Sequence, residues 1–277
     1  MKGASLDWGM VVETFIEAAI EAGRAITALS ARAIRAGSKL DGSPVTPADL
    51  RAEELIRKRL GGAFPSLRII GEEGDLPRSG EVLPERLILV DPLDGTRDFL
   101  GGSPEFTVNI AFLEKGRPMA GVVHAPALGR LFAGSIAGAF EMAVPSEDAP
   151  VSRRLLRVRK VQKNGPLSLE SRSHRDEATQ ALLEKLAPAA RREVASSLKF
   201  GLIAAGEGDI YARAVSLNEW DIAAGEAVLT GAGGAVLTLE GRTLRYGDPG
   251  LKAPPFIAIG DPGLRSLVLR LRASAAR

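Results

Sequence analysis

Two carboxylates, delivered by an apolar run into a Pro/Gly turn, carry the clearest chemistry in this sequence. Leu87-Ile88-Leu89-Val90 reads as a buried strand, and Asp91-Pro92-Leu93-Asp94-Gly95-Thr96 follows it directly. Pro92 cannot donate to a continuing ladder, and Asp94-Gly95-Thr96 has the form of a helix opening, whose first amides have no acceptor within the helix. Asp91 and Asp94, three residues apart around the turn, can converge on hard cations while Gly95 and Thr96 face a phosphate. The same letters also describe an ordinary Asx turn and helix cap.

Three further acidic patterns share that ambiguity. Ile69-Ile70-Gly71-Glu72-Glu73-Gly74 ends an apolar stub in paired acids, a pattern that solvated loops also produce. Asn218-Glu219-Trp220-Asp221 opens a helix rich in small residues, where Asp221 is equally well explained as a cap. Thr46-Pro47-Ala48-Asp49 satisfies the capping-box pattern with proline at the first helical position, which an inert protein would also use.

Taken together and in order, G-E-E, D-P-L-D-G-T and W-D-x-A-A-G resemble the inositol monophosphatase superfamily of metal-dependent, lithium-sensitive phosphatases. Four further stretches, Asp41–Asp49, Glu105–Ile110, Ser171–His174 and Ser196–Phe200, are similar to its bacterial 3′(2′),5′-bisphosphate nucleotidase branch. The resemblance spans roughly residues 8 to 250, with departures at Gly74, at Arg97-Asp98 and beyond its end. It implies a layered αβαβα sandwich of the inositol monophosphatase and fructose-1,6-bisphosphatase type, in the α+β to α/β class, with the site in a cleft between two halves. It also implies two or three Mg²⁺ ions, with Mn²⁺ as the alternative. Asp91 would bridge two of them, Glu72 and the Leu93 carbonyl would complete one side, and Asp94 and Asp221 the other. A third ion would use Glu72 and water. Thr96 and Asp49 would hold and polarise the attacking water, the Gly95 and Thr96 amides would bind phosphate, and Glu73 would act from outside the ligand shell.

The resemblance further places His174, Ser196, Lys199 and Arg213 around an adenosine and its 5′-phosphate, although locally each reads as a loop, solvated or strand-flanking residue. The implied reaction converts adenosine 3′,5′-bisphosphate to AMP and phosphate, a role connected to sulfate assimilation. An inositol-1-phosphate or sugar phosphatase on the same scaffold is the nearest rival, and a non-catalytic nucleotide or metal binder is the other. A haloacid-dehalogenase mechanism needs its nucleophilic Asp two residues before Asp94, whereas Asp91 is three before and Pro92 occupies the required place.

The elements that must position these groups are legible in outline. Apolar residues from Trp8 to about Ala36 fall on one helix face, and a second helix follows the turn Asp41-Gly42-Ser43-Pro44. Short alternating runs at Phe106–Leu113, Met119–His124, Leu131–Ala133 and Ala139–Ala143 predict an antiparallel meander. From Leu167 onward, strands at Leu167–Ser171, Ile210–Ala212, Gly234–Leu239 and Phe256–Ile259 alternate with helices near Asp176–Leu186, Leu198–Ala205, Asp221–Thr230 and Gly263–Ser274. Val144–Pro150 is the expected boundary between an N-terminal α+β half, residues 1–150, and a C-terminal α/β half, residues 151–277.

Composition narrows the chemistry. The 277 residues include no cysteine and only two histidines, so thiolate sites and a zinc cluster are disfavoured and oxygen ligands remain. No apolar run approaches ~20 residues and no charged-then-apolar leader opens the chain, so no membrane span and a cytoplasmic location are expected. The net charge of +2 and the basic stretch Arg153–Lys160 invite nucleic acid, but the stretch alternates like a strand and is read as solvated. The expected partner is a small phosphorylated nucleotide, not a polymer, and the expected state a monomer or homodimer.

Overall fold

The computed structural model describes residues 6–29, 37–38, 44–74, 76–78, 80–144, 152–173 and 175–275. Helix α1 (Trp8–Ala28) begins where Asp7 accepts from the Gly9 and Met10 amides, and it buries Val12, Phe15, Ile16, Ala19, Gly23 and Ile26 on one face. The expected continuation to about Ala36 is corrected: Leu29 is extended and its N–H turns back to the Ile26 carbonyl. Ile26 is the last buried residue of α1, and residues 30–36 lie outside the described part. The short strands β1 (Gly37–Ser38) and β2 (Pro44–Val45) pair, whereas Asp41–Ser43 of the expected turn lie outside the described residues. Helix α2 (Pro47–Ala63) then packs beside α1.

A seven-stranded sheet follows. β3 (Arg68–Gly71) runs parallel to β4 (Arg86–Asp94), and the five-residue helix α3 (Thr96–Leu100) leads into β5 (Thr107–Glu114). β6 (Arg117–Ala125), β7 (Arg130–Ser135), β8 (Gly138–Ala143) and β9 (Arg153–Leu155) complete an antiparallel meander from β4 onward. The expected boundary falls mostly in residues 145–151, outside the described part, while β9 beyond it still belongs to this sheet.

The rest of the chain builds a second sheet. It contains β10 (Leu167–Ser171), α4 (Glu177–Leu186), β11 (Ala190–Val194), α5 (Leu198–Ala204), β12 (Ile210–Arg213) and β13 (Leu217–Asn218). It ends with α6 (Ala223–Gly231), β14 (Ala235–Thr238), β15 (Lys252–Ala253), β16 (Phe256–Ile259) and α7 (Arg265–Ala275). The five-stranded order is β11-β10-β12-β16-β14, and β13 pairs with β15 separately.

Side-chain alternation shows how the layers stack. Ile88, Val90, Val108, Ile110 and Val122 face α1 and α2, whereas Leu87, Leu89, Ala111, Leu113 and Val123 face a middle layer containing α5 and α6. Leu169, Tyr211, Val236 and Phe256 close that layer from the second sheet. Ile210, Ala212, Leu237 and Ile257 point the other way, onto α4 and α7. The result is the αβαβα sandwich, and burial on both faces explains why its strands read as nearly unbroken apolar runs. Glycine sets the spacing of the middle layer: a Cβ on Gly121 would stand 2.8 Å from the Ala224 Cα, and one on Gly134 would stand 2.6 Å from the Val228 Cα. Helix α6 therefore lies almost on the first sheet.

Four of the five bases in the basic stretch are ion-paired. Arg153 pairs with Glu13, Arg154 with Glu141, Arg159 with Asp209 and Lys160 with Asp261, leaving little field for a polyanion. Among the described residues no helix is long and apolar enough to cross a membrane.

Candidate active site

The site grows out of a defect in the β4–β5 ladder. Asp91 still pairs with Asn109, but the register then shifts so that Asp94 opposes Thr107, which leaves Pro92 and Leu93 bulged. The strand therefore does not stop at Val90 as expected; it carries the bulge, and the missing N–H of Pro92 falls where no ladder bond is needed. The Leu93 amide donates to Asp91 Oδ1 at 3.1 Å. Gly95, at φ 90° and ψ 34°, takes the left-handed turn that starts α3, a conformation a side chain would strain. Strand β3 ends beside this bulge, and the Glu72 amide donates to the Val90 carbonyl at 3.1 Å.

Asp221 arrives from the C-terminal part of the chain, on the 3₁₀ turn Glu219–Asp221 that precedes α6. Carboxylate oxygens of Glu72, Asp91 and Asp221 lie within 4.8 Å of one another. Burial pushes the Asp91 carboxyl well above the usual range, and the neighbouring Glu72, Asp94 and Asp221 add to that rise. Asp221 is raised in the same way, by burial first and then by Asp94 and Glu72.

The bland and the chemical readings of Asp49 and Asp221 prove compatible. Asp49 Oδ2 accepts from the Thr46 amide at 2.7 Å and the Thr46 hydroxyl at 2.6 Å, completing the capping box of α2. Its other oxygen, Oδ1, accepts from the Thr96 hydroxyl at 3.1 Å. Asp221 Oδ2 likewise accepts from the Asn218 amide at 3.0 Å, and Asp221 also joins the carboxylate group. Each acid caps a helix and thereby fixes its carboxylate on the cleft.

Asp94 lines the same cleft but stands outside the three-carboxylate group, and its Oδ2 accepts from the Ser197 amide. Ser197 is anchored in turn: its hydroxyl lies 2.6 Å from Asn109 Oδ1 and 2.7 Å from Thr107 Oγ1. Sequence reasoning passed over Ser197, Asn109 and Thr107 as site residues. Their signal was their presence inside the stretches Ser196–Phe200 and Glu105–Ile110.

Beyond Asp94 the cleft gains basic side chains. A cavity of about 240 Å³ is lined by Asp94, Gly95, Asp98, Ser196, Lys199, Tyr211 and Arg213, among others, and it shares Asp94, Gly95, Asn218 and Asp221 with the hollow around Glu72 and Asp91. Local pattern suggested a solvated Lys199, but it is 2 % exposed. Its ammonium donates to the Val194 and Ser196 carbonyls at 3.0 and 2.6 Å and sits 4.7 Å above the Tyr211 ring. Burial lowers its pKa to about 8 against the opposing pull of Asp94. Arg213 ends β12, buried, with a guanidinium nitrogen 3.6 Å from Asp176. Ser196 adopts φ 54°, unusual for a residue with a side chain. His174 lies outside the described residues. Glu73 is half-buried beside Glu72 and outside the three-carboxylate group.

The donor set tests which ion would fit. Buried carboxylates that raise one another's pKa need a cation among them to remain charged, and a set made only of oxygens selects hard divalent ions over zinc. Asp91 and Asp221 meet both conditions, and Glu72 adds a third oxygen donor.

Comparison with known proteins agrees with this geometry. A sequence model of the inositol monophosphatase family matches residues 7–272. The 3′(2′),5′-bisphosphate nucleotidase CysQ of Salmonella typhimurium is 37% identical over 240 residues, covering 85% of this chain and 94% of that protein. The crystal structure of CysQ from Bacteroides thetaiotaomicron superposes with a TM-score of 0.78 at 30% identity, covering 92% of this chain and 99% of the other. The LiCl-soaked inhibitory complex of Staphylococcal inositol monophosphatase-1 has a TM-score of 0.77 at 19% identity, covering 97% and 96%, and shares the fold.

Proposed function

This chain belongs to the inositol monophosphatase family, and from that premise we propose that it is a cytoplasmic, Mg²⁺-dependent phosphomonoesterase that hydrolyses adenosine 3′,5′-bisphosphate to AMP and phosphate, in the service of sulfate assimilation. One observation carries the choice of substrate. The carboxylate hollow and the Lys199/Arg213 cavity share a wall, so one ligand with two phosphates can place one in each. An inositol monophosphate carries no second phosphate to place beside Lys199 and Arg213.

Glu72, Asp91 and Asp221, with Asp94 and the Leu93 carbonyl, would hold Mg²⁺, or Mn²⁺ in its place. When bound, such ions supply charge neutralisation at the phosphate and a lowered pKa for water. The chain supplies the rest. The Thr96 hydroxyl sits between two acceptors, Asp49 Oδ1 and the Leu93 carbonyl, each at 3.1 Å. Its proton points to one of them and its lone pairs remain for a water. Asp49, whose pKa burial raises, can then take a proton passed through Thr96. The water oxygen bonds to phosphorus, the bond from phosphorus to the 3′-oxygen breaks, and the departing oxygen takes up a proton. Amides at the start of α3 cradle the phosphate oxygens, while Ser196, Lys199 and Arg213 hold the remote phosphate.

Phosphate release from adenosine 3′,5′-bisphosphate, inositol 1-phosphate and a small aryl phosphate tests the reading. The bisphosphate should show the highest kcat/KM; a preference for inositol 1-phosphate would overturn the substrate assignment. Inhibition by Li⁺ is expected as well, measured as initial rates at fixed Mg²⁺ and matched ionic strength.

A further inference from the structure

Helix α2 has a second buried acid that the proposed chemistry does not use. Asp49, Glu53 and Arg57 follow one another at four-residue spacing, on the face of α2 turned toward β3 and β4. Glu53 is 3 % exposed. Its Oε2 accepts from the Glu73 amide at 2.8 Å, and its Oε1 accepts from Arg57 Nε at 2.7 Å. Arg57 also donates to the Ile69 carbonyl at 3.2 Å, in the strand that leads into Glu72.

The two glycines of Gly71-Glu72-Glu73-Gly74 complete the picture. A Cβ on Gly71 would overlap the Glu53 carboxyl, and one on Gly74 would overlap the Arg57 guanidinium. Either side chain could swing away only by releasing the backbone group it holds. The loop is thus closed around an ion pair supplied by α2, with Glu72 between its fixed points.

We infer that Glu53 and Arg57 are positioning residues that set the Glu72 carboxylate against Asp91 and Asp221, and that their removal weakens cation binding and not the chemical step. The inference rests on the reading of Glu72 as a metal ligand. One helix then orders both the Thr96 proton acceptor, through Asp49, and the Glu72 ligand, one turn further on. Outer partners of this kind typically change metal affinity by about 10- to 100-fold when removed.

The test is calorimetric titration of Mg²⁺ into metal-stripped full-length protein without substrate, with kcat measured at saturating Mg²⁺. Glu53→Gln keeps an acceptor oxygen but loses the ion pair; its Mg²⁺ Kd should rise about 10-fold or more while kcat at saturation stays near wild type. Arg57→Lys, which keeps the charge but cannot serve both Glu53 and Ile69, should move Kd in the same direction by less, and it keeps the test open if Glu53→Gln fails to fold. Glu72→Gln is the control. If it weakens Mg²⁺ binding while folded Glu53→Gln and Arg57→Lys match wild type, the positioning role is wrong. If Glu72→Gln itself leaves Kd unchanged, the ligand assignment falls and the inference falls with it.

Discussion

The two walls of the cleft are built on opposite electrostatic terms. On one, Glu72, Asp91, Asp94 and Asp221 converge, and burial together with their mutual repulsion raises Asp91 and Asp221 well above the usual carboxylate range. On the other, Lys199 and Arg213 are buried among carbonyls, a tyrosine ring and a partly exposed Asp176, and Lys199 is lowered to about 8. The first wall gathers buried carboxylates and the second buried cations, a setting that suits cations on the first and an anion on the second. Asp94 and Gly95 border both hollows. A bisphosphate spanning that border satisfies both walls at once.

The strongest way to break this comparison is Asp91→Asn. Asp91 is at the centre of the acidic wall, 1 % exposed, so its loss should abolish turnover by several orders of magnitude on the bisphosphate and the aryl phosphate alike. Because it also removes one of several repelling charges, the metal-free variant should melt at or above the wild-type temperature. Near-normal turnover in a folded Asp91→Asn protein would remove the metal-site reading.

The basic wall should fail selectively instead. Arg213→Ala removes a charge-assisted contact worth about 1.5–3 kcal/mol, or about one to two decades in kcat/KM for adenosine 3′,5′-bisphosphate. Aryl phosphate hydrolysis should barely change, since that substrate reaches only the acidic wall. Equal losses on both would make Arg213 a structural residue of β12.

The walls also differ in how far the sequence exposes them. Glu72, Asp91 and Asp221 stand at the ends of an apolar strand, a strand-turn and a capping turn, so local pattern alone puts each carboxylate at an element's edge. Lys199 and Arg213 are marked by nothing local; burial of a lysine in α5 depends on the Tyr211 ring of β12, which meets it only in the fold. The same division runs through the architecture. Strands buried on both faces were legible from their apolar runs, whereas β11, Ala190–Val194, is an edge strand with four exposed residues in a row and is held by its parallel pairing to β10. Glu53 and Ser197 were missed for the same reason, partners far away in sequence: Glu53 accepts from the Glu73 amide, and the Ser197 amide donates to the Asp94 carboxylate. Gly74, a departure from the motif it sits in, becomes intelligible only once Arg57 is seen in the space a side chain would fill.

A pH profile can sharpen the contrast further. The ordinary pKa of Lys199 is depressed to about 8 by burial, so the free enzyme carries the ammonium below that pH and loses it above. Anion binding at the basic wall needs the charged form. The ratio of kcat/KM for the bisphosphate to that for the aryl phosphate should therefore be flat below pH 8 and fall above it, by up to about tenfold per unit. Because kcat/KM reports the free enzyme, a bound phosphate that raises the pKa in the complex does not hide the break. A ratio independent of pH from 6.5 to 9.5 would show that Lys199 does not meet the substrate as a cation.

The smallest effect concerns the shared cap. Thr46 holds Asp49 twice, through its amide and its hydroxyl, and its hydroxyl also accepts from the Ala48 amide at 3.1 Å. Thr46→Ala deletes the hydroxyl contacts and leaves the amide. Losing a helix cap costs about 1 kcal/mol, which lowers Tm by about 2–4 °C in a chain of this size. Asp49 Oδ1 should stay on Thr96, because Oδ2 is still tethered by the Thr46 amide, so kcat should fall only severalfold and Mg²⁺ affinity should not move. Thr46→Ser, which keeps the oxygen, should recover both Tm and kcat. If Thr46→Ala instead weakened Mg²⁺ binding as Glu53→Gln is expected to, α2 would be positioning the acidic wall as one rigid unit, and the separation of the Asp49 and Glu72 tasks along the helix would be wrong.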